Sequence, residues 1–310
     1  MKKRPIKNVA ASVRDRLGTI QRQSGRDYQG LMVQYALERL LYRLSISSHR
    51  ERFLLKGAML FIIWQGSPHR MTRDLDLLGF GDPSIARLEE IFRELCALVV
   101  DDDGLAFDPA SVKGSEIRAQ AHYVGVRITL RVQLASAKFP LQIDVGFGDD
   151  FLGSAEEVTM PSLLDMPAAH VRAYRRETVI AEKLEAVVTL GLQNSRLKDY
   201  FDFWFLAHRF AFDGEVLTSS ITGTFARRQT PLPAVLPRGL SAEYSSDPAR
   251  IAAWDAFWRK AGTDDEKPSL DSLVQFIAPF LAPPLHAASK GEVFKQTWPP
   301  GGPWSKVRPG

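Results

Sequence analysis

The spacing of hydrophobic positions changes along the chain, and the changes mark out its elements. Residues 8–23 and 27–46 carry apolar side chains at helical steps, Val33, Leu37, Leu40 and Leu44 in the second stretch, which predicts two amphipathic helices. Short apolar runs follow at Phe53-Leu54-Leu55 and in Asp74-Leu75-Asp76-Leu77-Leu78, separated by a helical-looking 59–64. A turn at 79–83, rich in glycine with one proline, leads to a helix expected over about 84–99. From Val124 the period becomes two: Val126, Ile128, Leu130, Val132 and Leu134 alternate with Arg127, Thr129, Arg131 and Gln133. Leu141, Ile143 and Val145 repeat the alternation, so the two segments predict an antiparallel hairpin with a loop at 135–138.

Past Pro161 and Pro167 helical spacing returns. Ile180, Leu184, Val187 and Val188 form a stripe over 177–190 that Gly191 would end, and Asn194 or Ser195 would cap the next helix, with Leu197, Phe201, Trp204, Phe205 and His208 as its buried face. Helices are also expected over 213–225, 248–261 and 269–281. The Pro/Gly-rich stretch from 287 onward has few residues to pack and reads as extended or disordered. This organisation gives an N-terminal helical segment (1–47), an α/β core (48–155), a helical C-terminal domain (156–286) and a basic tail (287–310).

Composition adds bounds. The chain is 45% hydrophobic and 25% charged over 310 residues, ordinary for a globular protein with a sizeable core. No apolar run is long enough for a membrane helix and the N-terminus lacks a secretory signal pattern, so a cytoplasmic location without membrane partners is expected. The single Cys96 lies among Ile91, Leu95 and Leu98 and reads as a small core residue. Net charge is +4, with eight Lys/Arg against one Asp in residues 1–26, an arm suited to nucleic acid or equally to solvation. Arg39 and Arg43, one helical turn apart, suit a polyanion or a charged outer face, and Asp101-Asp102-Asp103-Gly104 reads as a solvated turn.

The chemistry-bearing stretch is Asp74-Leu75-Asp76. On a strand the two carboxylates share one face, where they repel unless a cation sits between them, and hard divalent cations take such oxygens. Just upstream, Lys56-Gly57-Ala58 lets backbone N–H groups approach a phosphate without a side chain in the way. No Gly-x-x-x-x-Gly-Lys-[Ser/Thr] loop is present, nor His-Glu-x-x-His or Cys/His clustering, which argues against P-loop NTPases and zinc hydrolases. Asp144 falls on the polar face of a central-looking strand, an unfavourable place for a lone carboxylate. Lys183 and Asp199 come to comparable levels in an antiparallel helical hairpin, where a structural ion pair would also account for them.

Lys56-Gly57-Ala58 followed by Arg70-x-Thr72-x-Asp74-x-Asp76, and then Glu182-Lys183 with Arg196-x-Lys198-Asp199-x-x-Asp202, resembles the AbiEii/AbiGii-type nucleotidyltransferase toxins, a branch of the polymerase-beta-like superfamily. The resemblance covers roughly residues 50–210 and departs at Ala58, where Ser or Gly is usual. It implies an α+β core with a mixed sheet, flanked by the N-terminal helices and the helical C-terminal region. It further implies Asp74, Asp76 and Asp144 as holders of Mg²⁺ or Mn²⁺, with Asp149 or Asp150 as alternatives for the third acid. An NTP would be gripped by Lys183, with Lys56, Gly57, Ala58, Arg70 and Arg73 contributing, and Asp199 would orient Lys183 or the acceptor. The partners implied are RNA, most often the 3′ end of tRNA, and a co-encoded antitoxin, often a winged-helix repressor. A nucleotide- or RNA-binding module without catalysis, or transfer to a small molecule or protein, is the alternative.

Overall fold

The computed structural model describes residues 8–66, 72–118, 124–147, 155–261 and 265–306. The chain forms two units, Met1–Asp149 with Ala155–Tyr174, and Asp150–Ser154 with Arg175–Gly310. In the first, α1 (Val9–Ser24) and α2 (Tyr28–Ser45) start where Asn8 and Asp27 accept from the backbone N–H groups of Ala11 and Gly30. Then come β1 (Phe53–Lys56), α3 (Met59–Gln65), β2 (Asp74–Gly79), α4 (Ile85–Ala97), β3 (Leu105–Arg118), β4 (Val124–Leu134), β5 (Ala137–Gly146), β6 (Glu156–Met160) and β7 (Ala169–Ala173). The strands make one seven-stranded sheet in the order β3-β4-β5-β2-β1-β7-β6. It is mixed: β2 runs parallel to β5 and β1 parallel to β7, while the other neighbours are antiparallel.

The expected hairpin is present, tighter than anticipated. Leu134 pairs with Ala137, leaving a two-residue turn in which Ala135 takes a φ of 52°. Two expectations are corrected here. Residues 156–174, assigned from their prolines to a helical domain, contain β6 and β7 and close the sheet beyond β1, so this unit ends at Tyr174. The N-terminal helices likewise belong to the same unit as the core.

A third correction concerns charge. Arg39 and Arg43 are buried and face no polyanion. Both donate to Asp103, which is only 2% exposed, Arg39 through Nε at 3.1 Å and Arg43 through Nη1 at 2.6 Å. The Asp-rich turn is therefore an anchor that ties α2 to the start of β3. Cys96 is buried as expected, and loss of solvent pushes its thiol up to about 12.

The second unit is mostly helical: α5 (Arg176–Leu190), α6 (Leu197–Arg209), β8 (Phe212–Asp213), α7 (Gly214–Arg227), α8 (Ala242–Ser245), α9 (Pro248–Ala261), α10 (Leu270–Lys290), β9 (Gln296–Trp298) and β10 (Ser305–Lys306). Arg196, with no side-chain bond, stands at the N-cap of α6, while Asn194 accepts from the Arg196 N–H at 2.9 Å in the preceding turn. The tail was expected to be extended or disordered; its described part, to Lys306, instead forms the end of α10 and the strands β9 and β10. α10 runs through Pro279, Pro283 and Pro284, and β9 pairs with β8 and β10. Trp298, buried, donates to the Ala207 carbonyl and the half-buried Trp304 to the Phe280 carbonyl, so each indole N–H is satisfied while its ring packs. Among the described residues no helix is long and apolar enough to cross a membrane.

One buried group in the first unit has a pH consequence. Glu38 accepts from Gln34 Nε2 at 2.8 Å and from the Leu163 N–H at 2.9 Å, yet burial pushes its carboxyl from the ordinary 4.5 up to about 7. Its folded-state pKa is raised, so its contribution to stability is fully present below about pH 4.5 and is lost as pH rises through 7. Glu38→Gln cannot titrate. The difference in melting temperature between variant and wild type, followed from pH 4 to 8, should move in favour of the variant as pH rises; a constant difference would show that Glu38 is not the titrating group.

Candidate active site

The site begins with β2, bonded on one side to β1 and on the other to β5. Alternation sends Leu75 and Leu77 into the core and leaves Asp74 and Asp76 half-buried on the opposite face. Register then sets the neighbours: Asp76 is the partner of Lys56 in β1 and of Asp144 in β5, and Asp74 is the partner of Gln142. Asp76 and the expected third acid thus share one rung near the centre of the sheet, with Asp74 two rungs away on the same face of β2.

Gly57 follows immediately, with φ at +73°. A Cβ built there would lie 1.9 Å from Asp76 Oδ2, so the carboxylate occupies the space a side chain would need. Glycine is required twice over, by backbone conformation and by close approach. Ala58 stands at the N-cap of α3 without a side-chain hydrogen bond, so no hydroxyl acts at this junction. Arg73 lies directly before β2, and Arg70, Asp149 and Asp150 lie outside the described residues.

Asp144 does not stand alone. Arg127, opposite it in β4, donates from Nε to Oδ1 and from Nη2 to Oδ2, each at 2.8 Å. The guanidinium pKa is raised, first by this bonding and further by the charges of Asp144, Asp74 and Asp76. Among the described residues no three His, Cys, Asp or Glu side chains are gathered to hold a metal ion, these three included. In kind and in strand register the acids fit a hard divalent cation. In placement, Asp74 and Asp76 share one face of β2 and Asp144 is held by Arg127.

In the second unit, Lys183 on α5 and Asp199 on α6 do meet. Lys183 Nζ lies 2.6 Å from Asp199 Oδ1 and 2.8 Å from Asp202 Oδ2. The lysine side chain is 15% exposed and that of Asp202 fully buried. Two buried carboxylates bracketing one ammonium fix its position tightly.

The family model for the nucleotidyl transferase AbiEii toxin of type IV toxin–antitoxin systems matches residues 39–276. The chain belongs to this AbiEii family. The match extends beyond the stretch that carried the sequence resemblance and includes every candidate residue from Lys56 to Asp199. JHP933 from Helicobacter pylori, known from a crystal structure, aligns with a TM-score of 0.50 at 13% identity, over 86% of this chain and 95% of that one, a likeness of fold. A second H. pylori structure, of a candidate nucleotidyltransferase, gives 0.48 at 13% identity, over 86% of this chain and 98% of that one. No curated protein gives a significant match.

Two residues of this AbiEii protein have partners that the sequence reading did not give them. Asp202 stood in the motif with Asp199, three residues on and on the same helical face, without a role of its own. Arg127, one of the alternating polar residues of the hairpin and suited to a phosphate, lies directly across from Asp144 because the turn has two residues and not the loop expected at 135–138.

The Gly57 geometry is open to test. Gly57→Ala should be destabilised by more than the ~1 kcal/mol typical of alanine at positive φ, because strain and displacement of Asp76 add. Gly66 has φ +81° and nothing within 4 Å of a Cβ, so Gly66→Ala reports the strain alone. Equal shifts of the two variants in denaturant melts would mean that Asp76 does not lie over Gly57.

Proposed function

We propose that this AbiEii nucleotidyl transferase moves an NMP from an NTP to an RNA hydroxyl, most specifically at the tRNA 3′ end, in a Mg²⁺- or Mn²⁺-dependent reaction that releases pyrophosphate and stops translation. The observation that carries the reading is the placement of Asp76 and Asp144 on one rung of β2 and β5, with Asp74 two residues before Asp76 on the same face and Gly57 clearing room for Asp76. Asp74 and Asp76 would hold the cation, with Asp144 as the further ligand. When bound, it would neutralise the triphosphate and favour attack of the acceptor oxygen on the α-phosphorus.

The remaining roles fall to the chain's cations and backbone. Lys183 is assigned to the NTP phosphates, with Asp199, and now Asp202, as its orienters. Gly57 and Ala58 offer backbone N–H groups, and Lys56, Arg70 and Arg73 are additional phosphate contacts. Arg131, exposed on β4, suits the RNA backbone, whereas Arg127 is engaged by Asp144. A cytoplasmic setting and an antitoxin of winged-helix type complete the proposal, the toxin–antitoxin family itself supporting an antitoxin partner.

The test is incubation with each labelled NTP, Mg²⁺ and total RNA, followed by sequencing of tRNA 3′ ends after expression. Asp74→Asn and Asp76→Asn should each lower transfer about 10²-fold or more without unfolding the protein, since each removes a ligand and a repulsion together. Lys183→Ala should also lower transfer with all four NTPs. It leaves Asp199 and Asp202 buried without their cation, at a cost of about 3–5 kcal/mol, so its activity is read per folded molecule. Label on a small molecule or a protein would move the acceptor elsewhere, and full turnover in both Asp variants would overturn the catalytic assignment.

A further inference from the structure

We propose that the polar face of β3, β4 and β5 is the surface along which the acceptor RNA lies, held by its phosphodiester backbone on Lys113, Arg131 and Lys138. The inference rests on the RNA-acceptor reading above and deepens it by naming the surface.

Strand register places these residues. One row of partners crosses the sheet from Lys113 through Thr129 and Gln142 to Asp74, and the next runs from Ser115 through Arg127, Asp144 and Asp76 to Lys56. Residues directly across from one another share a face, so all of these side chains lie on the face of the acids. Beyond the Lys113 row, on the side away from Asp144, Arg131 is the partner of Pro140 and Lys138 the partner of Gln133. β2 accompanies β5 only over 142–146, so this end of β3, β4 and β5 projects past it. With neighbouring strands about 4.8 Å apart and alternate residues about 6.8 Å apart, the backbones of the three cations stand roughly 12–14 Å from that of Asp74.

Charge selects the partner. Residues 8–174 contain three lysines, Lys56, Lys113 and Lys138, and register puts all three on this face. Lys113, Arg131 and Lys138 are exposed and form no ion pair with any described residue. Asp108, directly opposite Arg131, accepts from the Ala110 N–H instead. The reverse face differs: α4 covers it, with Ile85 and Glu89 against Gly114, and the arginines of α4 are paired, Arg87 with Glu90 and Arg93 with Glu89. Unpaired positive charge is thus collected on the side of the sheet that holds the acids. Among the described residues of β3, β4 and β5 no aromatic stands on this face, so it can hold phosphates but has nothing on which to stack a base.

Binding of fluorescently labelled unfractionated tRNA to the full chain, without NTP or divalent cation and over a range of KCl concentrations, tests this apart from catalysis. The triple variant Lys113→Gln, Arg131→Gln, Lys138→Gln should bind about tenfold or more weakly, with the slope of log affinity against log salt shallower by about 2–3. Each single Gln variant should remove roughly one unit of that slope, which keeps the test open if the triple variant melts early. The exposed Lys260, Lys290 and Lys295 of the second unit give the control, and their triple Gln variant should leave affinity and slope unchanged. Wild-type affinity and slope in the folded face variants, from a protein that still labels RNA, would overturn this surface and leave the RNA reading standing. An equal loss in the control would also overturn it, as charge acting without regard to place. Poly-L-glutamate that displaces tRNA at equal charge would reassign the face to an acidic protein. Wild type that neither binds nor labels tRNA would overturn the RNA reading and this surface with it.

Discussion

Like-charge repulsion at the centre of a sheet is the constraint around which the first unit is arranged. β2 cannot be moved to an edge: its leucines are core residues and its backbone is bonded on both sides. Its acids must therefore be accommodated where they are. β1 supplies Lys56 at the rung of Asp76, the following turn supplies a glycine where no side chain fits, and β4 supplies a guanidinium for Asp144. Each is a local departure from what would make the sheet most stable. A strand position occupied by half-buried carboxylate, or a turn restricted to glycine, is what a sequence selected for stability alone would avoid.

The second unit shows the same economy in a different setting. Lys183 is held by two buried acids between two helices, and a buried charge with partners on both sides has little freedom to reorient. The Arg39–Asp103–Arg43 group resembles it physically and differs in exposure. Its members lie wholly inside and fasten α2 to β3, while Lys183 keeps part of its side chain exposed.

The elements were legible where periodicity was unambiguous. The alternation from Val124 to Val145 specified β4 and β5, but not their register, because the two-residue turn that sets Arg127 across from Asp144 was expected as a longer loop. The stripes of α5 and α6 brought Lys183 to Asp199. Legibility failed where one residue type carried two meanings. Prolines at 161 and 167 read as a domain boundary although β6 and β7 lie beside them, because proline excludes a helix interior and says little about short strands at the end of a sheet. The helix expected over 269–281 runs on to Lys290 through Pro279, Pro283 and Pro284, because Ile277, Phe280, Leu281, Pro284 and Leu285 continue one buried stripe and packing outweighs the lost backbone bonds. Arg39 and Arg43 read as surface because arginine is seldom buried, and only the distant Asp103 reverses that expectation. β3 was missed altogether; its irregular register between Asp108 and Lys113 breaks the alternation that would announce it.

The position of the acids in the strand order also bears on how the molecule comes to exist. β3, β4 and β5 are successive antiparallel strands and β1 and β2 pair nearby in sequence, so each block forms from local contacts. The parallel seam between β2 and β5 joins the two blocks, which the α4 connection links in sequence, and that seam is where Asp76 is partnered with Asp144. The block that carries Asp74 and Asp76 therefore gains Asp144 only when the two dock, and the register that brings the three acids together is the same register that completes the sheet.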